Sequence, residues 1–239
     1  MSVLLEAANS ERVRVDNIGA TADGTFWVRF YLVSLPGAGQ VAAVISLFDT
    51  SGSFSGFQVH VDENGKLSID AYDSGDAGPG TATLSVATWY TVGVTVDQTA
   101  AVAAVSVYLD GATTADVASG VVTYTGTTVR LNFGSWRDGG DYLNGRIQSG
   151  LYWSDVKTAA ALSAQTDECD DPYTVTNLVS QWPLAVHTDI TDFVGANDLV
   201  ASGTLSTAAQ PDECSGGPPP SFVPDEDYMI FVPGRGPNG

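Results

Sequence analysis

The sequence predicts an all-β protein: two antiparallel sheets packed face to face as a sandwich, with one short helix and an extended C-terminal arm. Three observations carry the prediction. Residues 90–96 and 105–109 alternate apolar and small polar side chains with period two, the pattern of half-buried antiparallel strands, and Asp110-Gly111 supplies a turn that tolerates positive φ. Similar stretches recur at close spacing with turn signals between them, as a sandwich requires. The composition agrees: 26 Gly, only 2 Met, little Lys and abundant Thr and Val suit sheets and tight turns better than helices.

Residues 3–5 and 12–15 read as short strands; the second alternates Arg and Val, so its Arg face is expected to be wet. Residues 26–32 form a strong strand with aromatics on both faces. After a loop at Pro36-Gly37-Ala38-Gly39, residues 41–48 are a nearly continuous apolar run, the mark of a central buried strand. Residues 49–53 turn the chain, and 57–61 pair with 67–71 around Glu63-Asn64-Gly65. A glycine-rich loop at 73–80 leads into the 90–109 hairpin, and strands are expected next at 121–124, 129–133 and 146–153. Residues 156–165 are Ala-rich and form the one helix, with Ser154 or Asp155 as its N-cap. Residues 179–184 make another strand and 199–205 a weaker last one.

The chain carries 28 acids against 9 bases, a net charge of −19. That argues against nucleic-acid binding, which needs a basic footprint, and against anionic membrane surfaces; it favours solubility, cation binding or a basic partner. No apolar run approaches the ~20 residues of a membrane helix. The N-terminal segment has no basic region and its apolar run is broken by Glu6, so no secretory signal is visible. At 239 residues the chain is long enough to bury a sizeable core without metal or disulfide support.

Cys169 and Cys214 lie 45 positions apart, each after Asp-Glu. In an oxidising compartment they would form a disulfide worth roughly 4 kcal/mol in the chain-entropy model; in the cytosol they would remain thiols. Composition changes at Ser215, dividing a sandwich at 1–214 from an extended arm at 215–239. Pro218 to Pro220 stiffen a spacer. It leads to Phe222, then Asp225-Glu226-Asp227, then the apolar run Tyr228-Met229-Ile230-Phe231-Val232. Such a run on a polar tail is expected to dock, either on a partner's sheet edge through backbone hydrogen bonds or on the chain's own.

Trp89-Tyr90 with the alternating Val that follow, Tyr108-Leu109-Asp110-Gly111, Leu131-Asn132-Phe133-Gly134 and Leu143-Asn144-Gly145-Arg146-Ile147 come in a set order. Tyr152-Trp153 ahead of the helix, then 178–184 with 192–199, complete it. Over about residues 24–200 the chain resembles the laminin-G-like, concanavalin A-like lectin/glucanase jelly-roll family of bacteria and phages. The resemblance implies two face-to-face antiparallel sheets with the 89–111 hairpin at their centre. For function it implies glycan or protein binding, adhesion, or a surface module of a virion, without choosing among them.

Some relatives hydrolyse glycans with carboxylates at alternate positions on one strand, which brings two acids within ~5 Å. No such run exists here: Asp70 and Asp73 are three apart, Asp225 to Asp227 lie in the arm, and His60 and His187 have no nucleophile beside them. The chain is therefore expected not to be an enzyme. Relatives also hold Ca²⁺ at the sandwich rim, and the hard-oxygen candidates are Asp192, Asn197 and Asp198, or Asp138, Asp141 and Asn144; turns alone favour the same residue types. For sugar stacking the best set is Trp136, Arg137, Asp138, Asp141 and Tyr142, with Phe54 and Tyr72 on neighbouring loops; the alternative for Trp136 is to cap a sheet edge. The other four Trp, at 27, 89, 153 and 182, fall inside strand patterns and are expected to be core or half-buried.

The expected protein is a non-enzymatic virion structural component. It displays a lectin-like jelly roll on capsid or tail and is anchored through Phe222 and residues 228–232. The alternative is a glycan-binding adhesin at a cell surface or outside the cell. Homo-oligomerisation is left open.

Overall fold

A computed structural model describes residues 2–19, 23–50, 55–71, 76–97, 104–119, 129–137, 139–165, 176–184, 190–203 and 205–208. Cys169, Cys214, His187, Phe54, Tyr72, Asp138, the 121–124 strand and the whole 215–239 arm lie outside them. The described chain is a two-sheet antiparallel jelly roll, as expected. One sheet has eight strands: β1 (Ser2–Leu5), β3 (Gly24–Leu32), β7 (Thr88–Asp97), β8 (Ala104–Leu109), β9 (Val117–Ser119), β11 (Gly145–Trp153), β12 (Leu178–Pro183) and β14 (Ser206–Ala208). They run in the order β14-β1-β11-β3-β7-β8-β9, with β12 also on β11. The other has six: β2 (Arg12–Val15), β4 (Val41–Asp49), β5 (Gly56–Asp62), β6 (Leu67–Ala71), β10 (Val129–Phe133) and β13 (Val200–Ser202), in the order β13-β2-β10-β4-β5-β6.

Period-two alternation builds the core between them. Phe26, Val28, Phe30 and Leu32 of β3 face inward with Val92, Val94 and Val96 of β7, against Leu47 of β4, Phe57 and Val59 of β5, and Leu131 and Phe133 of β10. All are buried. Aromatic contacts lock the layers: Phe26 meets Phe57 at 6.2 Å, and Trp182 meets Phe133 nearly edge-on at 5.7 Å, while Tyr152 stacks on its strand neighbour Phe26 at 4.8 Å. Gly56 permits the tight β4–β5 pairing. Its φ is +132°, and a Cβ there would lie 2.1 Å from the Leu47 carbonyl oxygen, which cannot retreat from a ladder.

The 90–109 hairpin is present as β7–β8, but the middle of its sheet is β3 and β11. β9 is an addition the sequence did not suggest, and the expected last strand is two short ones, β13 and β14. The Arg face of β2 is not wet: Arg12 is only 6% exposed, because the loop after β10 lies over it. The helix, α1 (Ala159–Ala164), is shorter than expected and is capped by the Thr158 hydroxyl, which accepts from Ala161 N–H. The residues expected to cap it are held to the sheet instead. Thr25 Oγ1 donates to the Asp155 carbonyl and accepts from Lys157 N–H, and Ser154 N–H donates to the Asn177 carbonyl.

α1 lies on the outer face of the eight-stranded sheet, where Leu162 joins Trp27, Leu151 and Trp153 in a second, smaller core. Gly93 lets it approach, since a Cβ there would stand 2.9 Å from a Leu162 methyl. Leu162→Ala is expected to cost about 2–3 kcal/mol, measured as a lower urea midpoint with an unchanged slope and a red shift of tryptophan emission in the folded state.

Candidate functional site

The loop at 134–144, joining β10 to β11, carries the glycan candidates, and the sheet beneath sets its course. Strand register places Arg14, Asn132, Ser46, Gln58 and Asp70 in one row across the outer face of the six-stranded sheet. The three middle members reach up to the loop. Ser46 Oγ donates to the Ser135 carbonyl at 2.9 Å, Asn132 Nδ2 to the Arg137 carbonyl at 2.8 Å, and Gln58 Nε2 to Asp141 Oδ2 at 3.3 Å. All three donors are buried, so each hydrogen bond also avoids the cost of a stranded polar group. The Asp141 carbonyl accepts from Ala43 N–H at 2.7 Å, pinning the loop's far end to β4. Arg137 and Asp141 take φ of 37° and 46°, left-handed conformations held by these tethers.

The five expected sugar-binding residues are divided by this geometry. Trp136 sits over Phe48 of the interior strand β4 rather than at a sheet edge, their centroids 5.8 Å apart. The guanidinium groups of Arg137 and Arg130 lie 5.5 and 5.6 Å from the same Phe48 ring, which is left 2% exposed. Asp141 and Tyr142 instead line a cleft of about 540 Å³ at the end of the sandwich, shared with Ser34, Leu35, Pro36, Gln40, Val41 and Asn144. Asn144 Nδ2 donates to Ser34 Oγ at 2.8 Å, joining its two walls.

A cluster that sequence reasoning missed lies at the row's end. His60 Nδ1 is 3.4 Å from Asp70 Oδ2. Burial pushes the Asp70 carboxyl above its ordinary value; His60 opposes the shift, and Asp76 and Asp141 add to it. Asp70 and Asp141 are 71 positions apart, so a search for alternate acids on one strand cannot pair them. Strand alternation was the available signal: Gln58, His60, Ser68 and Asp70 occupy every second position of β5 and β6.

Of the calcium candidates, the later set is tied up by hydrogen bonds. Asp192, Asn197 and Asp198 are brought together, but as a hydrogen-bonded knot. Asp192 Oδ1 accepts from Gln181 and Val194 N–H, both at 3.0 Å, and Oδ2 from Asn197 N–H at 3.1 Å. Asp198 Oδ1 accepts from Asp192 N–H, and the Asn197 carbonyl from Trp182 Nε1. Burial alone would raise the Asp192 carboxyl; the backbone N–H groups of Gln181, Gly195 and Val194 and the Ser180 hydroxyl outweigh it and hold it below its usual range. In the other set Asp141 Oδ2 accepts from Gln58 and Asn144 Nδ2 donates to Ser34, while Asp138 lies outside the described residues. Among the described residues no three His, Cys, Asp or Glu are grouped to hold a metal ion.

The two sheets, the short helix and the rim cleft define a lectin-like jelly roll. The chain belongs to the concanavalin A-like lectin/glucanases superfamily, whose Laminin_G_3 family model matches residues 7–163. The match takes in the 134–144 loop and stops short of the Asp192 knot. Among solved structures, a proposed carbohydrate-binding protein from Bacteroides ovatus ATCC 8483 superposes with a TM-score of 0.60 at 15% identity, over 88% of this chain and 60% of that one. The chain thus spans under two thirds of that protein's length. A heptameric SAP-like pentraxin from Limulus polyphemus gives 0.58 at 11% identity, over 86% and 93%. At these identities the likeness is one of fold. No curated protein matches the chain.

The knot gives a pH prediction. A carboxyl held below 3.8 in the folded state stabilises fully above that value, and its contribution is lost as pH falls through the lowered folded pKa. Asp192→Asn is expected to cost about 2 kcal/mol at pH 7. In thermal melts the gap from the parent should close as pH falls below 3.8, the ordinary Asp value.

Proposed function

We propose that this jelly roll is a non-catalytic glycan-binding module whose ligand enters the cleft at the sandwich end. The observation that carries the reading is the cleft's lining. Tyr142 offers an aromatic face, and Ser34, Gln40, Asp141 and Asn144 offer hydroxyl, amide and carboxylate groups to sugar hydroxyls within about 540 Å³, a usual size for a small-ligand site. Asp141 is the only ionisable carboxylate among the described residues that line it. Glycoside hydrolysis needs two carboxyl groups flanking one bond, and neither Asp70 nor Asp76 borders this space. Trp136 and Arg137, across the same loop, extend the surface for a longer chain. The fold shared with a proposed carbohydrate-binding protein supports the reading, and such a module would work outside the cell or at a surface.

Glycan-array screening of the whole chain, followed by titration calorimetry on the best ligand, tests this. Tyr142→Ala is expected to weaken binding roughly tenfold, the loss of one aromatic contact. Trp136→Ala should weaken only longer oligosaccharides. No ligand on the array, or a ligand indifferent to Tyr142, would overturn the reading.

A second reading, a virion decoration protein anchored through its arm, is favoured by one sequence feature. Pro218 to Pro220 favour an extended spacer ahead of the apolar run 228–232, a sequence suited to engaging a partner. Removing residues 215–239 is expected to abolish incorporation into particles while leaving glycan binding intact; unchanged incorporation would sink the anchoring idea.

A further inference from the structure

The outer face of the eight-stranded sheet carries an assembly that the cleft does not use. Tyr31 on β3 and Trp89 on β7 are cross-strand partners, their ring centroids 5.3 Å apart at 57°. Arg146, opposite Tyr31 on β11 and half-buried, holds its guanidinium 5.0 Å from the Tyr31 ring; Arg29, 5% exposed and near the Asp110 carboxylate, holds its own 5.1 Å from Trp89 beneath the surface. Two aromatic faces are thus flanked by two guanidinium groups, in a chain with only 9 bases. Both rings are half-buried, and Trp89 Nε1 is enclosed without a hydrogen-bond acceptor. Val33 and Val86, 39% and 47% exposed, continue the apolar surface past the ends of β3 and β7.

The chain itself supplies an occupant of matching chemistry. β14 pairs with β1 at the edge of this same sheet, Ala208 opposite Ser2. Val3 pairs with Ile147, and Ser149 pairs with Arg29. The described chain therefore ends almost level with Arg29 along the strand direction. The separation is three strand spacings, roughly 14 Å. The 16 residues from Ala209 to Pro224 could span up to about 50 Å. Beyond them come Asp225-Glu226-Asp227 and the apolar run Tyr228 to Val232.

We infer that in the isolated chain the arm docks on this face, with residues 225–227 against Arg146 and residues 228–232 over Tyr31, Trp89, Val33 and Val86. Two features choose the arm over another occupant. Its acids complement Arg146 at the surface of this face, whereas the rest of a −19 chain would repel a second copy. Its tether also raises its local concentration far above that of any free peptide. The inference rests on neither functional reading; if the arm also anchors the chain to a particle, this is the position it leaves.

The test uses the full chain with Tyr228 replaced by p-benzoylphenylalanine, irradiated at low concentration, with cross-links mapped by mass spectrometry. The expected result is cross-links within the monomer to peptides covering residues 27–33 and 86–92. Cross-links only between copies, to another face, or none would overturn the inference. Arg146→Glu, checked for folding by circular dichroism, is expected to lower the yield roughly fivefold, the scale of one favourable ion pair. Adding Asp225→Lys, Glu226→Lys and Asp227→Lys should restore it; a yield unaffected by Arg146→Glu would count equally against the arm.

Discussion

Buried polar side chains must find partners or cost the fold their lost hydration. On the outer face of the six-stranded sheet, that requirement shapes everything above it. Ser46, Asn132 and Gln58 stand in one row on adjacent strands and each donates to the 134–144 loop. The loop therefore crosses the sheet as a stitched layer, even though several of its own residues are glycines. Its far end turns out at Asp141, where Asp141 and Tyr142 become a wall of the cleft. Without the row, the cleft would have only its 34–42 wall.

The eight-stranded sheet solves its outer face with different chemistry. One part is covered by apolar packing of Leu162 on Trp27, Leu151 and Trp153, with Gly93 giving the helix room. The other part is covered by guanidinium groups over aromatic rings, Arg29 buried on Trp89 and Arg146 half-buried on Tyr31. The contrast matters for function. A hydrogen-bonded polar layer with an adjoining cleft suits hydroxyl-rich ligands; an apolar and cationic face suits an acidic, apolar segment of protein.

Much of the sandwich was legible because period two is a strong signal where one face is buried: β3, the β5–β6 and β7–β8 hairpins, β10 and β11 fall where strand patterns place them, and β4 falls where a nearly continuous apolar run does. The errors have specific causes. Arg12 reads as wet because arginine usually is, and nothing local announces that a loop joined over 120 positions later will cover it. The helix start was misplaced because Ser154 and Asp155 are good caps, yet Thr25 of β3 holds the backbone at Asp155 and Lys157 and delays the helix to Thr158. The acids at 192 and 198 were harder to place, because residue type does not distinguish a metal-binding carboxylate from one that collects backbone amides as Asp192 does.

The sugar-binding set shows the same limit from the other side. Trp136 to Tyr142 is contiguous in sequence, so it reads as one site, but a loop anchored at successive points must send neighbouring side chains to different places. Trp136 turns down onto Phe48, while Tyr142 faces the cleft six residues later. If the cleft takes a glycan, as proposed above, that division would bear on selectivity. A ligand confined to the cleft meets one aromatic ring and a fan of polar groups, which favours recognition of a single sugar by its hydroxyl pattern. A ligand reaching both sides of the loop must cross the backbone between residues 136 and 142, where the Gly139 and Gly140 positions, with no side chains, leave the lowest barrier. Chain length, as well as sugar identity, is then a discriminating variable, and the two glycines rather than the aromatics set where it begins to count.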